Sequence, residues 1–241
     1  MNNILLSIFL STILLGHCLA QDIQTYRVNQ GEVPTQIIPL TDQYRYDKFQ
    51  DGKIHFHNGN SIQAKLNYSY LYKKLLGLGK SGDTIHIKHT YATKYISIGD
   101  QVFFLHPTGA YIEMTQGEGA LKLATMKTVN LVVIEDPVHN GYDHASHSYE
   151  LISHNRSDDL NTKIENIYDW PSREELLFKK ETNYFLRDSN GRFHPINWKS
   201  LRKVFPEHKQ ALKDYAKTQQ IDLRDKADLE KLITYCEQLI Y

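Results

Sequence analysis

"GKIHFHNGNSIQAKLNYSYLY", residues 52–72, is the stretch on which the fold turns. Ile54 and Phe56 alternate with His55 and His57, Asn58-Gly59 follows, and Ile62, Ala64 and Leu66 then alternate with polar neighbours. A period of two puts alternate side chains on one face of a strand, and Asn-Gly tolerates the positive φ that a tight hairpin turn demands. The stretch predicts a β-hairpin.

The same pattern repeats on the C-terminal side. "DTIHIKH" (83–89) follows a Ser81-Gly82-Asp83 turn, "YISIGDQVFFL" (95–105) folds about Gly99-Asp100, and "AYIEMTQGEGALKLATMKTVNLVVIE" (110–135) folds near Gly117-Glu118-Gly119. Strands joined by short turns, with no helix between them, predict an antiparallel meander in the form of a curled sheet or open barrel. Residues 21–47 are polar, dotted with Tyr and interrupted by Pro34 and Pro39, which suits an extended leading segment able to add one strand. The β-rich domain spans 21–136.

Residues 137–175 lose periodicity and are rich in His, Asn, Ser and Asp, so they read as a long polar connection. The unit 176–241 then begins with one more hairpin, "NYFLRDSNGRFHPI" (183–196), about Asn190-Gly191. Asn197 is placed to cap a short helix, and Pro206 suits the first turn of the next, which carries Leu212, Tyr215 and Ala216 on one stripe. Asp225, with Asp228 three residues on, opens a last helix bearing Leu229, Leu232, Ile233, Cys236 and Leu239. The fold class is α+β, an antiparallel β meander followed by a small C-terminal helical unit.

The first twenty residues have the layout of a secretory signal peptide: an apolar run from Ile4 to Leu15, then the small Ala20 before the polar Gln21-Asp22. The run is too short to span a bilayer comfortably, and no second run of comparable hydrophobicity follows, so no transmembrane helix is expected after signal removal. His17 stands directly before Cys18, where a lipoprotein signal has a small residue, which favours cleavage after Ala20 over a lipid anchor at Cys18. Cleavage there removes Cys18 and leaves Cys236, and one cysteine makes no internal disulfide. The chain holds 28 Lys and Arg against 28 Asp and Glu. Zero net charge argues against a broad nucleic-acid footprint.

Several of these segments, in this order, are similar to a group of uncharacterised exported proteins of Bacteroidetes. The resemblance rests on the 52–72 hairpin, "YISIGDQVFFL", "YIEMTQGEGALKLA" (111–124) and the run from Asn183 to Cys236, and covers roughly residues 48–235. Its most specific part is "FPEHKQALKDY" (205–215) after a short hairpin. It implies a periplasmic or secreted location and supplies no catalytic residue. In that group the segment matching 137–160 looks like a Gly/Ser-rich loop, so the histidines here depart from the pattern.

Those histidines are the most conspicuous chemical candidates. "HNGYDHASHSYELISH" (139–154) holds four of the chain's 12 histidines, and His139, His144 and His147 are spaced H-x4-H-x2-H, a donor set suited to zinc or copper. The stretch has no apolar period and contains Asn140-Gly141, so closing it around a metal costs chain entropy. A solvated loop with no cofactor is the plainer reading. His55, His57 and His86 allow a metal group across the sheet, against the plainer reading of a polar outer face.

Tyr68, Tyr70 and Tyr72 share a face by period two. Exposed, they form a stacking platform for a glycan or an aromatic-rich partner; buried, they are ordinary sheet filling. Lys209, Lys213 and Lys217 recur every four residues, as a solvated face or as a contact for lipid headgroups or phosphate. "GLGKSGDT" (77–84) lacks the first glycine of a phosphate loop, since Lys74 occupies its place. No G-x-S-x-G, H-E-x-x-H or C-x-x-C occurs. Asn67-Tyr68-Ser69 and Asn155-Arg156-Ser157 match the glycosylation pattern, which matters only in a eukaryotic secretory path. The sequence points to an exported envelope protein that binds a partner protein or glycan through the tyrosine row and has no evident catalytic machinery. The alternative is a metal-binding protein or metal-dependent enzyme using the 139–154 histidines.

Overall fold

The computed structural model describes residues 24–87, 92–114, 120–132, 168, 171–172 and 175–240. The 52–72 stretch forms the expected hairpin, β2 (Gln50–Phe56) and β3 (Ser61–Ser69), in register Ile54↔Ile62. Gly59 at its tip sits at φ 86°, and the Asn58 side chain accepts from Asn60 N at 3.0 Å, which is the turn chemistry the dipeptide provides. β4 (Lys74–Leu78), β5 (Thr84–His86), β6 (Thr93–Ile98), β7 (Gln101–Leu105), β8 (Tyr111–Met114) and β9 (Lys122–Val132) follow, all antiparallel. Lys74 and the segment "GLGKSGDT" after it are strand and turn, not the start of a helix.

Two features reach beyond a sequential meander. β6 pairs β2 rather than β5, and the leading segment supplies β1 (Thr25–Val28), which pairs β10 (Leu176–Arg187) at the far edge. β10 is longer than the expected hairpin arm and pairs β9 from Leu177↔Val132 to Arg187↔Lys122, with β11 (Phe193–Pro195) returning beside it. The strands on either side of the His-rich connection thus belong to one 11-stranded sheet.

That sheet is open but curls. Tyr111 N donates to the Tyr68 hydroxyl at 3.1 Å, and Val129 N donates to Tyr70 O at 3.0 Å, joining β8 and β9 to the end of β3. Residues on the concave face, among them Val28, Leu66, Tyr68, Ile96, Phe103 and Phe178, form the main core. Two short helices lie in the leading segment, α1 (Pro34–Ile37) and α2 (Leu40–Gln43). The buried Gln43 amide locks both by donating to Thr35 O at 2.7 Å and Ile38 O at 2.6 Å.

The helical unit follows the expected caps. Asn197 accepts from Ser200 N at 2.9 Å at the start of α3 (Trp198–Val204); a 3₁₀ turn (Pro206–His208) leads into α4 (Lys209–Thr218). Asp225 accepts from Asp228 N at 2.9 Å at the start of α5 (Lys226–Ile240). Leu212, Leu229, Leu232 and Cys236 pack with Leu123 and Leu186, so the helices cover one end of the concave face. No helix among the described residues is long and apolar enough to cross a membrane.

Candidate binding site

The tyrosine row is corrected by burial. Tyr68 is 1% exposed and Tyr70 6%, both in the main core, and Tyr72 packs against the same core. β3 ends at Ser69, and residues 70–73 form the turn into β4, so Tyr70 and Tyr72 do not continue a strand face. Tyr68 meets Tyr70 and Tyr111 edge-on at 5.5 and 5.4 Å. Burial pushes the hydroxyls of Tyr68 and Tyr70 up, and Tyr111 to about 12, as expected of phenols held away from water. These side chains fill the sheet and offer no stacking platform.

The candidate metal residues divide in two. His139, His144 and His147 lie outside the described residues. His55 stacks on Tyr95 at 4.3 Å and shares a hydrogen bond with Ser97 Oγ at 3.1 Å. His86, edge-on to Tyr72, is on β5, three strand spacings from β2, or roughly 14 Å. Among the described residues no group of three or more His, Cys, Asp and Glu is arranged to hold a metal. Asn67 is also occupied: it is buried, accepts from the backbone of Tyr46 and Tyr68, and donates to Tyr46 O at 2.8 Å. That amide is a clamp for the turn into β2, closed to glycosylation.

Two ion pairs that sequence reading missed cross the concave face between its apolar ends. Arg45 forks onto Glu113 at 2.8 and 2.7 Å. Asp42 receives Lys180 Nζ and the Tyr26 hydroxyl. Burial pushes the Asp42 carboxyl up, but Lys180 and Tyr26 together outweigh it and hold it below the usual carboxylate range. Each pair neutralises itself and ties the leading segment to the sheet. Their partners lie far apart in sequence, where no local period can reveal them.

The thiol of Cys236 is 1% exposed, and burial, with Glu237 beside it, pushes its pKa up to about 12. A neutral, shielded thiol is neither nucleophile nor ligand. The expected result with a disulfide reagent at about pH 8 is no labelling of native Gln21–Tyr241 and one equivalent after denaturation. Rapid labelling of the native protein would contradict this packing.

Among the described residues, one concavity combines an apolar floor with a cationic rim. α3 and α4 flank an open groove of about 750 Å³. Its floor is apolar: Leu201, Leu212, Ala216 and Ile221, with Trp198 as a wall, 38% exposed. Its rim is cationic: Arg202, Lys209, Lys213 and Lys217, all exposed, and no acidic residue lines it. The lysine row was visible in the sequence. Its apolar companion was not, because Trp198 and Ile221 come from outside that helix.

Comparison with protein-family models and with curated proteins gives no match.

Proposed function

We propose that this is an exported protein of the bacterial envelope that works by binding, without catalytic machinery, and that its partner seats in the groove between α3 and α4. The groove carries the reading: an apolar floor beneath four cations, within a chain whose net charge is zero. Small, mostly apolar concavities with a few convergent polar groups are the usual form of a ligand site. The layout of residues 1–20 and the Bacteroidetes resemblance support export.

Two measurements test it. The chain expressed with its leader in a bacterial host should appear in the periplasmic or secreted fraction beginning at Gln21; an intact leader on a cytoplasmic protein would remove the export half. Anilinonaphthalene sulfonate, an apolar anion, should bind purified Gln21–Tyr241 saturably. Trp198→Ala with Lys213→Glu should weaken it about tenfold, with circular dichroism unchanged. An affinity untouched by these changes would place the binding surface elsewhere.

A further inference from the structure

Resting on that reading of the groove, we infer that its occupant is an acidic amphipathic peptide segment of a partner protein, held with its apolar side chains on the floor and its carboxylates along the lysine row. Charge complementarity commits the groove to an anion. Residues 198–217 hold six Lys and Arg against two Asp and Glu, in a chain with 28 of each sign. The cations are also ordered. Lys209, Lys213 and Lys217 stand four residues apart along α4, about 6 Å per step and about 12 Å in all. Acidic side chains four apart on a facing helix repeat at the same interval, and the apolar residues between them project to the same side.

The opposite wall has a different cation. Arg202 donates Nε to the Trp198 carbonyl at 3.0 Å, which ties the guanidinium to the first turn of α3. Its terminal nitrogens form the fork that takes a carboxylate with two parallel bonds. A helix laid in an apolar groove, anchored by two or three large side chains and steered by flanking charge, is an established mode of peptide recognition.

The same features disfavour other anions. A bilayer surface is flat and would meet the lysine tips while leaving a concavity of about 750 Å³ beneath them unfilled. A glycan that stacks on Trp198 still needs donors and acceptors on the floor for its hydroxyls. Here the floor is aliphatic, and the Gln210 amide beside it is engaged with Asp214 at 2.9 Å. Leucine-sized anchors fit where neither headgroups nor hydroxyls do.

The probe is a fluorescein-labelled helical peptide of about 15 residues with Glu every fourth position and Leu between, read by anisotropy against Gln21–Tyr241. Three comparisons accompany it: the peptide with Lys for Glu, the peptide with Ser for Leu, and phosphatidylglycerol vesicles. The Glu/Leu peptide should bind saturably, and both altered peptides should bind at least tenfold more weakly. Lys209→Gln, Lys213→Gln and Lys217→Gln together should weaken the Glu/Leu peptide at least tenfold; all three are exposed, so folding is not at stake. Equal binding of the Glu and Lys peptides, an affinity indifferent to the three glutamines, or preference for the vesicles would each overturn the inference. If the naphthalene sulfonate seats in the groove and the peptide does not, the peptide is wrong while the binding groove stands; if neither binds, both fall.

Discussion

Replacing Tyr68 with alanine is expected to lower the free energy of unfolding by about 4 kcal/mol, the range for deleting a fully buried aromatic ring. The ring is 1% exposed, lies against Phe103 as well as Tyr70 and Tyr111, and its hydroxyl accepts the Tyr111 N–H where β8 approaches β3. Truncation therefore removes packing and one of the bonds that hold the curl. Tyr68→Phe separates the two, since it keeps the ring and takes away the acceptor; its expected cost is about 1–2 kcal/mol. In urea the alanine variant should shift the midpoint down by roughly 2 M with an unchanged slope. Were the tyrosines an exposed platform, both changes would stay within about 0.5 kcal/mol, as surface substitutions usually do. A small effect of Tyr68→Ala would thus return the row to the surface and undo the core described above.

The tyrosine row shows what a period can and cannot reveal. Alternation states that Tyr68, Tyr70 and Tyr72 share a side if the strand continues, but not where the strand ends, nor which side is covered; both depend on segments remote in sequence. The hairpins were readable because their determinants are local: Gly59, Gly99 and Gly191 all take the positive φ that their turns require. The caps at Asn197 and Asp225 were readable for the same reason. α1 and α2 were not, because four-residue turns have no period of their own and are held by Gln43 from outside. The first half of β10 was hidden by the aperiodic stretch before it, and the placing of β6 beside β2 by the non-local nature of strand order. The groove lies between these extremes: its lysines are spaced in one helix, and its floor is assembled from elements on both sides of that helix.

The Asp42–Lys180 pair makes the other large prediction, and its size depends on pH. In the native protein the Asp42 carboxylate is shielded from water, with its side chain 8% exposed, and is compensated by Lys180 and Tyr26. Because its folded pKa is depressed, it contributes stability that is present above the unfolded carboxylate pKa and is lost as pH falls through the folded value. Lys180→Met removes the cation and leaves the burial. Desolvation, the largest single influence on Asp42, is then opposed only by the Tyr26 and Gln24 hydrogen bonds, so its folded pKa should rise from its native value and the loss of stability with falling pH should weaken. The variant should be destabilised by about 3 kcal/mol at neutral pH, the low end for an orphaned buried charge because the Lys180 side chain is itself 29% exposed. The deficit should shrink as pH falls toward about 4, where the carboxyl can take up a proton without cost to the unfolded chain. Asp42→Asn added to Lys180→Met should recover part of the loss at pH 7 and little at pH 4, since it supplies permanently the neutrality that acid supplies to the single variant. Urea titrations of the single and double variants at both pH values check this directly. A deficit that is the same at both, or a double variant no more stable than Lys180→Met at pH 7, would mean that Asp42 is better solvated than its surroundings imply and that the leading segment is held to the sheet by packing around Val28 and Ile38 instead.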